Sequence, residues 1–207
     1  MRAFVRFRCP DGSIAELAHG DLIGRLGTAA LHLDDARISE AHAMISLRGE
    51  ELKLLALRGR FAVGNKPLSG LTLAEGQRIS FARGLTLTVE EVVLPDEVIA
   101  LSVGGKPQIL LGATAILIDG DGLRMQAGYR EGAAALVWNR DERWRISIPG
   151  QPARDLIPGE THTVAGSPVT AVALPLSRLS GNATRLAGAI SSPLCLLYTS
   201  PSPRDDR

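Results

Sequence analysis

The chain has 207 residues, of which 45% are apolar and 22% charged, and its formal net charge is +1. That length accommodates two small domains of about 100 residues each. So small a charge excludes bulk attraction to nucleic acid or to an anionic membrane, which leaves anion recognition to local groupings. With aromatic residues at 4%, a base-stacking platform for single strands is excluded as well.

Two cysteines, Cys9 and Cys195, make no disulfide framework and suit a reducing cytoplasm. Met1-Arg2-Ala3-Phe4 opens without the apolar core of a secretory signal. No stretch approaches the roughly 20 apolar residues that span a bilayer. The expectation is a cytoplasmic protein with no membrane contact.

In chain order, residues 3–8 set Phe4, Arg6 and Arg8 against Val5 and Phe7, the period-two pattern of a strand. Pro10-Asp11-Gly12-Ser13 has turn chemistry, with proline presetting φ and glycine accepting positive φ. Further short strands are predicted over 14–17, 21–23, 30–33, 43–47, 52–57, 71–73, 77–81 and 85–93, punctuated by Gly49, Gly59, Gly64, Gly70, Gly76 and Gly84. Many short strands with regular glycine turns predict an all-β fold, a sandwich or barrel. Pro95-Asp96-Glu97 marks a boundary, giving a first domain over 1–94 and a second, β-rich domain over 95–178.

The second stretch echoes the first. Residues 112–118 resemble 27–33, 141–146 resemble 49–54, and 156–166 parallel 73–82. It is read as a degenerate copy of the first domain, an unrelated β domain being the alternative. In this alignment Leu111-Gly112-Ala113 stands near the counterpart of Ile23-Gly24-Arg25. Residues 179–194 are a linker or the start of a further region. Residues 195–205, Cys-Leu-Leu-Tyr-Thr-Ser-Pro-Ser-Pro-Arg-Asp, resemble one reading frame of a sequencing-library adapter. Residues 195–207 are therefore set apart from fold reasoning as a disordered, adapter-derived tail, against the alternative of a natural Ser/Pro-rich tail.

Gly24-Arg25, followed after a loop by Ser39-Glu40-Ala41-His42, and later by Leu73-Ala74-Glu75-Gly76-Gln77-Arg78-Ile79, resembles the forkhead-associated (FHA) domain over most of the first 93 residues. The resemblance implies an FHA-type β-sandwich of short antiparallel strands that binds phosphothreonine peptides on loops at one end. It implies that Arg25 and Ser39 contact phosphate, while Gly24 and His42 support the site. The chemistry suits the ligand: a phosphothreonine carries roughly −1.5 to −2 charges and three acceptor oxygens, which an arginine fork meets with charge-assisted bonds.

The sequence departs from that pattern at three places. Glu40 follows the serine where the family is commonly basic. In the later loop Leu57 and Gly59 occupy the positions of a hydroxyl near phosphate and of an asparagine that grips the peptide. Arg58 and Arg60 flank this gap and are candidate contributors of charge. Loss of hydrogen bonds to a charged group, at roughly 1.5–3 kcal/mol each, predicts weak or relaxed binding.

His19, His32, His42 and His162 are scattered, with no spacing for a metal site. Asp119-Gly120-Asp121-Gly122 lacks the spaced ligands of a calcium loop. Ser39 and His42 lack an orienting acid for a hydrolase triad. The predicted function is a non-enzymatic, cofactor-free reader of a phosphothreonine protein, the substrate of a Ser/Thr kinase, with no nucleic-acid partner for residues 1–194. Two alternatives stand beside it: a phosphate-independent scaffold, and the sensor part of a longer transcription regulator.

Overall fold

A computed structural model of the protein describes residues 2–127, 131–140 and 142–178. The first unit is built from β1 (Phe4–Arg8), β2 (Ile14–Ala18), β3 (Leu22–Gly24), β4 (Leu31–His32), β5 (Ala43–Arg48) and β6 (Glu51–Ala56). It continues with β7 (Phe61–Val63), β8 (Lys66–Leu68), β9 (Gly70–Thr72), β10 (Arg78–Ala82) and β11 (Leu85–Val93). These strands form two sheets, ordered β2-β1-β11-β10-β7-β8 and β4-β3-β5-β6-β9. Every pairing is antiparallel except β3 with β4. This is the β-sandwich of short strands that the sequence predicts.

Alternation explains the layers. Val5 and Phe7 of β1 are fully buried, as are Ile45 of β5, Leu54 of β6, Ile79 of β10 and Leu87 of β11. They meet in one core between the sheets, where burial of each large aliphatic or aromatic side chain contributes about 1.5–3 kcal/mol. The opposite face of β1 carries Arg6 and Arg8. Arg6 bridges Glu16 and Glu91 on the neighbouring strands at 3.1 and 2.6 Å, and Arg8 pairs with Glu90. Two guanidinium groups, of Arg2 and Arg6, lie 5.4 and 4.9 Å from the Phe4 ring centre.

The hairpin β7–β8 was not expected from sequence. Its strands are three residues long, too short to show alternation, and β8 contains Pro67, which an edge strand tolerates because one side of its backbone faces no partner. β9 runs from Gly70 to Thr72, one residue earlier than predicted.

The second unit contains β12 (Glu97–Val103), β13 (Lys106–Ile109), β14 (Thr114–Ile118), β15 (Arg124–Ala127) and β16 (Ala135–Arg140). β17 (Arg143–Ser147), β18 (Arg154–Asp155), β19 (Thr161–Val164) and β20 (Ser167–Pro175) complete it, before a 3-10 turn at Leu176–Arg178. Its sheets are ordered β13-β12-β20-β19 and β15-β14-β16-β17-β18. Both orders repeat those of the first unit once the β7–β8 hairpin is removed. Backbone bonds repeat as well. Leu73 N–H to Leu52 O (2.9 Å) is matched by Leu156 N–H to Trp144 O (2.8 Å), and Gly76 N–H to Val89 O (2.8 Å) by Gly159 N–H to Ala171 O (2.8 Å).

One detail of the sequence alignment is corrected by register. β3 meets β5 at Ile23 and Ala43, and β14 meets β16 at Leu117 and Ala135. The counterpart of Ile23-Gly24-Arg25 is therefore Leu117-Ile118-Asp119, and Gly112 precedes the strand instead of ending it. Apolar similarity between 112–118 and 27–33 misled because the former contains β14, which corresponds to β3, whereas the latter lies in the loop after β3 and in β4.

The second unit has its own core around Leu101, Leu117, Val137 and Val169. It also lends Val98 and Leu176 to the core of the first, with Ile109 and Leu111 packed against it. Among the described residues no helix is long and apolar enough to cross a membrane. The segments 179–194, expected as a linker or the start of a further region, and 195–207, expected as an adapter-derived tail, lie outside the described residues.

Candidate functional site

Three segments meet at one end of the first sandwich: the chain leaving β3, residues 38–42 entering β5, and residues 57–60 between β6 and β7. The first two are clipped together by Arg25 N–H to Ser39 O (3.0 Å) and Leu26 N–H to Glu40 O (3.1 Å). Gly24 makes this approach possible. A β-carbon there would sit 2.8 Å from the Glu40 carbonyl carbon and 2.9 Å from Ser39 O, so only glycine fits. Its φ is not positive, and space alone sets the requirement.

The structure brings together all six residues that the sequence singled out. Arg25 is exposed, and its Nε–H reaches Ile38 O at 3.3 Å, which anchors the guanidinium through one of its donors. Ser39 donates its backbone N–H to His42 Nδ1 (3.2 Å) and its hydroxyl to Arg58 O (3.1 Å). Because His42 Nδ1 accepts, Nε2 carries the proton and donates to Arg60 O at 3.0 Å. His42 is 4% exposed, and its ring lies 5.4 Å from that of Phe81 at 55°. One imidazole thus ties the 38–42 loop to the 57–60 loop.

Arg58 and Arg60 take part in the site through their backbones. Their carbonyls accept the Ser39 and His42 bonds, while both residues remain exposed. Among the described residues no carboxylate forms an ion pair with Arg25, Arg58 or Arg60. Glu40 is exposed beside them.

Sequence reasoning missed two features. Gly59 lies against the face of His42: a β-carbon there would stand 2.5 Å from both ring nitrogens. The position that the resemblance reserves for asparagine is therefore filled from below by the brace. The second is the engagement of the Ser39 hydroxyl by Arg58 O, which makes Ser39 a latch between loops. An Arg-Gly-Arg tripeptide was the only sequence signal for either.

The same end of the second unit is chemically different. Register places Asp119 opposite Arg25 and Ala134 opposite His42, through His42 N–H to Ile23 O (3.0 Å) and Ala134 N–H to Leu117 O (2.8 Å). Residues 148–153 replace the whole stretch 57–69, so the loop that braces the first site has no counterpart. Among the described residues no cluster of three or more His, Cys, Asp or Glu side chains is placed to hold a metal ion.

Solved structures resemble part of this chain. An FHA domain from a study of phosphothreonine-dependent FHA interactions is 28% identical, covering 42% of this chain and 96% of its own, with a TM-score of 0.38. The FhaA FHA domain complexed with the intracellular domain of Rv3910 is 27% identical over 42% of this chain and 99% of its own, also at 0.38. Mycobacterium tuberculosis EmbR in complex with a low-affinity phosphopeptide is 27% identical over 42% of this chain and 24% of its own, at 0.38. No protein-family model and no curated protein matches the sequence.

Proposed function

We propose that the Arg25 end of the first unit binds a phosphothreonine peptide and works as a non-catalytic interaction module in intracellular signalling. The observation that carries this reading is the exposed Arg25 guanidinium, without a carboxylate partner among the described residues, on a segment clipped to the 38–42 loop that His42 ties to 57–60. A dianionic phosphate needs donors held in place before it arrives, since ordering them on binding would consume affinity. Arg58 and Arg60 add positive charge within the same loop cluster. The partner is then a protein phosphorylated by a Ser/Thr kinase.

Binding is weak in this reading. Gly59 offers no side chain to the peptide backbone, Leu57 offers no hydroxyl, and Ser39 has to release Arg58 O before its hydroxyl can reach phosphate. The same three facts favour the second reading, in which these loops hold an unmodified protein. Titrating one phosphothreonine peptide and its unphosphorylated twin separates the two. The first reading requires that only the phosphorylated form bind, and that Arg25→Ala weaken it more than about tenfold with the fold intact. Equal binding of both peptides, or binding unaffected by Arg25→Ala, rejects it.

The second unit is proposed to be a degenerate copy of the first, supported by the repeated strand order and backbone bonds. Asp119 in place of Arg25 makes it unable to hold phosphate, and its role is to buttress the first unit and to meet partners.

A further inference from the structure

Leu26 and Leu57 stand on either side of the Arg25 cluster and are 40% and 45% exposed, two of only five large hydrophobic side chains so exposed among the described residues. Leu26 follows Arg25 directly and is held by Glu40 O; Leu57 precedes Arg58 and is held by His42 O at 2.9 Å. Strands β3, β5 and β6 are consecutive in their sheet. The two leucines thus flank the segment 39–42, separated by two inter-strand spacings, or about 10 Å. An extended peptide advances about 3.3 Å per residue, so a chain lying across this end meets both leucines with residues about three positions apart.

We infer that the site selects phosphothreonine peptides carrying large aliphatic residues on both sides of the phosphothreonine, received by Leu26 and Leu57. This rests on the phosphothreonine reading and adds its sequence preference. Single exposed leucines are ordinary on a protein surface. Here two of them border three arginines that lack carboxylate partners among the described residues, so one ligand that covers the leucines also brings its phosphate to the cations. Leu57 occupies the position where the family resemblance expects a hydroxyl. What the site loses there in polar contact to phosphate it recovers in apolar contact with the flank. An aliphatic side chain laid over Leu57 also excludes water from the arginines, and charge-assisted bonds strengthen as water leaves.

The test uses the full chain and synthetic peptides with phosphothreonine in a serine-glycine background, leucine being placed at −1 and +2 or at −2 and +1. Covering two half-exposed leucines predicts that the better leucine peptide binds about five- to tenfold tighter than the all-serine peptide. Leu26→Ala and Leu57→Ala should each narrow that ratio to about twofold while leaving the preference for phosphorylated over unphosphorylated peptide. Both residues are exposed, so neither change should lower the melting temperature appreciably, and circular dichroism checks this. Equal affinity for leucine and serine flanks, with phosphate still discriminated, overturns this inference and leaves the phosphothreonine reading standing. Binding of leucine peptides irrespective of phosphate overturns both.

Discussion

Gly59→Ala tests the brace at its tightest point. The added methyl would lie 2.5 Å from His42 Nδ1 and Nε2, well inside contact distance, and the ring cannot simply swing away. It is buried and fixed by Ser39 N–H at 3.2 Å and Arg60 O at 3.0 Å, with Phe81 beside it. Displacing it breaks both hydrogen bonds of a buried imidazole, so Gly59→Ala should cost about 2–5 kcal/mol. For a chain of this size that lowers the melting temperature by about 5–15 °C. The decisive assay is a double-mutant cycle. His42→Ala should itself be destabilising by a similar amount, but in that background Gly59→Ala should cost less than about 1 kcal/mol because the obstacle is gone. Thermal or urea unfolding of the four proteins measures the coupling. Equal costs of Gly59→Ala in both backgrounds would show that the glycine serves something other than His42, and the account of the locked loops would fail. By the same geometry, Gly59→Asn should destabilise the site instead of restoring a peptide-gripping amide.

Glu40→Gln should tighten phosphopeptide binding at low ionic strength, with the gain shrinking as salt rises, since an exposed carboxylate beside the arginines acts through a screened field; a salt-independent change would point to loop rearrangement. His19, half-buried, accepts the Leu47 N–H at 2.9 Å through Nδ1, and burial, with Arg48 adding to it, holds its pKa below the usual histidine value. Its folded form resists protonation, so stability fully present above the unfolded value of about 6.5 should be lost as pH falls below it through the lower folded value. His19→Asn, which keeps an acceptor, should flatten the melting temperature between pH 7.5 and 5.5. Asp21, whose carboxyl is raised by burial, acts oppositely nearer its own range. Leu176→Ala should cost about 2–5 kcal/mol and be felt in the first unit, because Leu176 sits in that core. Both tryptophans, Trp138 and Trp144, belong to the second unit, so their fluorescence transition should coincide with the far-UV dichroism transition of the whole chain, and two separated transitions would show independent units.

Alternation and glycine turns made the β-sandwich legible, because a strand half-buried on one face has to write period two into its residues, as 3–8 and 77–81 do. Gly24, Arg25, Ser39 and His42 were legible as a group through the family resemblance, and the close approach at Gly24 and the tie made by His42 each suit that residue type. The β7–β8 hairpin was hidden, since three-residue strands carry no readable period and Pro67 argues against a strand until its edge position is known. The register of the second unit was hidden too. Apolar runs of similar length align equally well in several ways, and only the pairing of Leu117 with Ala135 sets Asp119 opposite Arg25. Tertiary structure alone decided what Ser39, Gly59, Arg58 and Arg60 do. A hydroxyl can donate to a ligand or to a neighbouring carbonyl, and a glycine can serve a turn or clear space for a ring. The choice depends on which groups lie within about 3 Å, and loops separated by nearly twenty residues are brought to that distance only by the packing of the sheets beneath them.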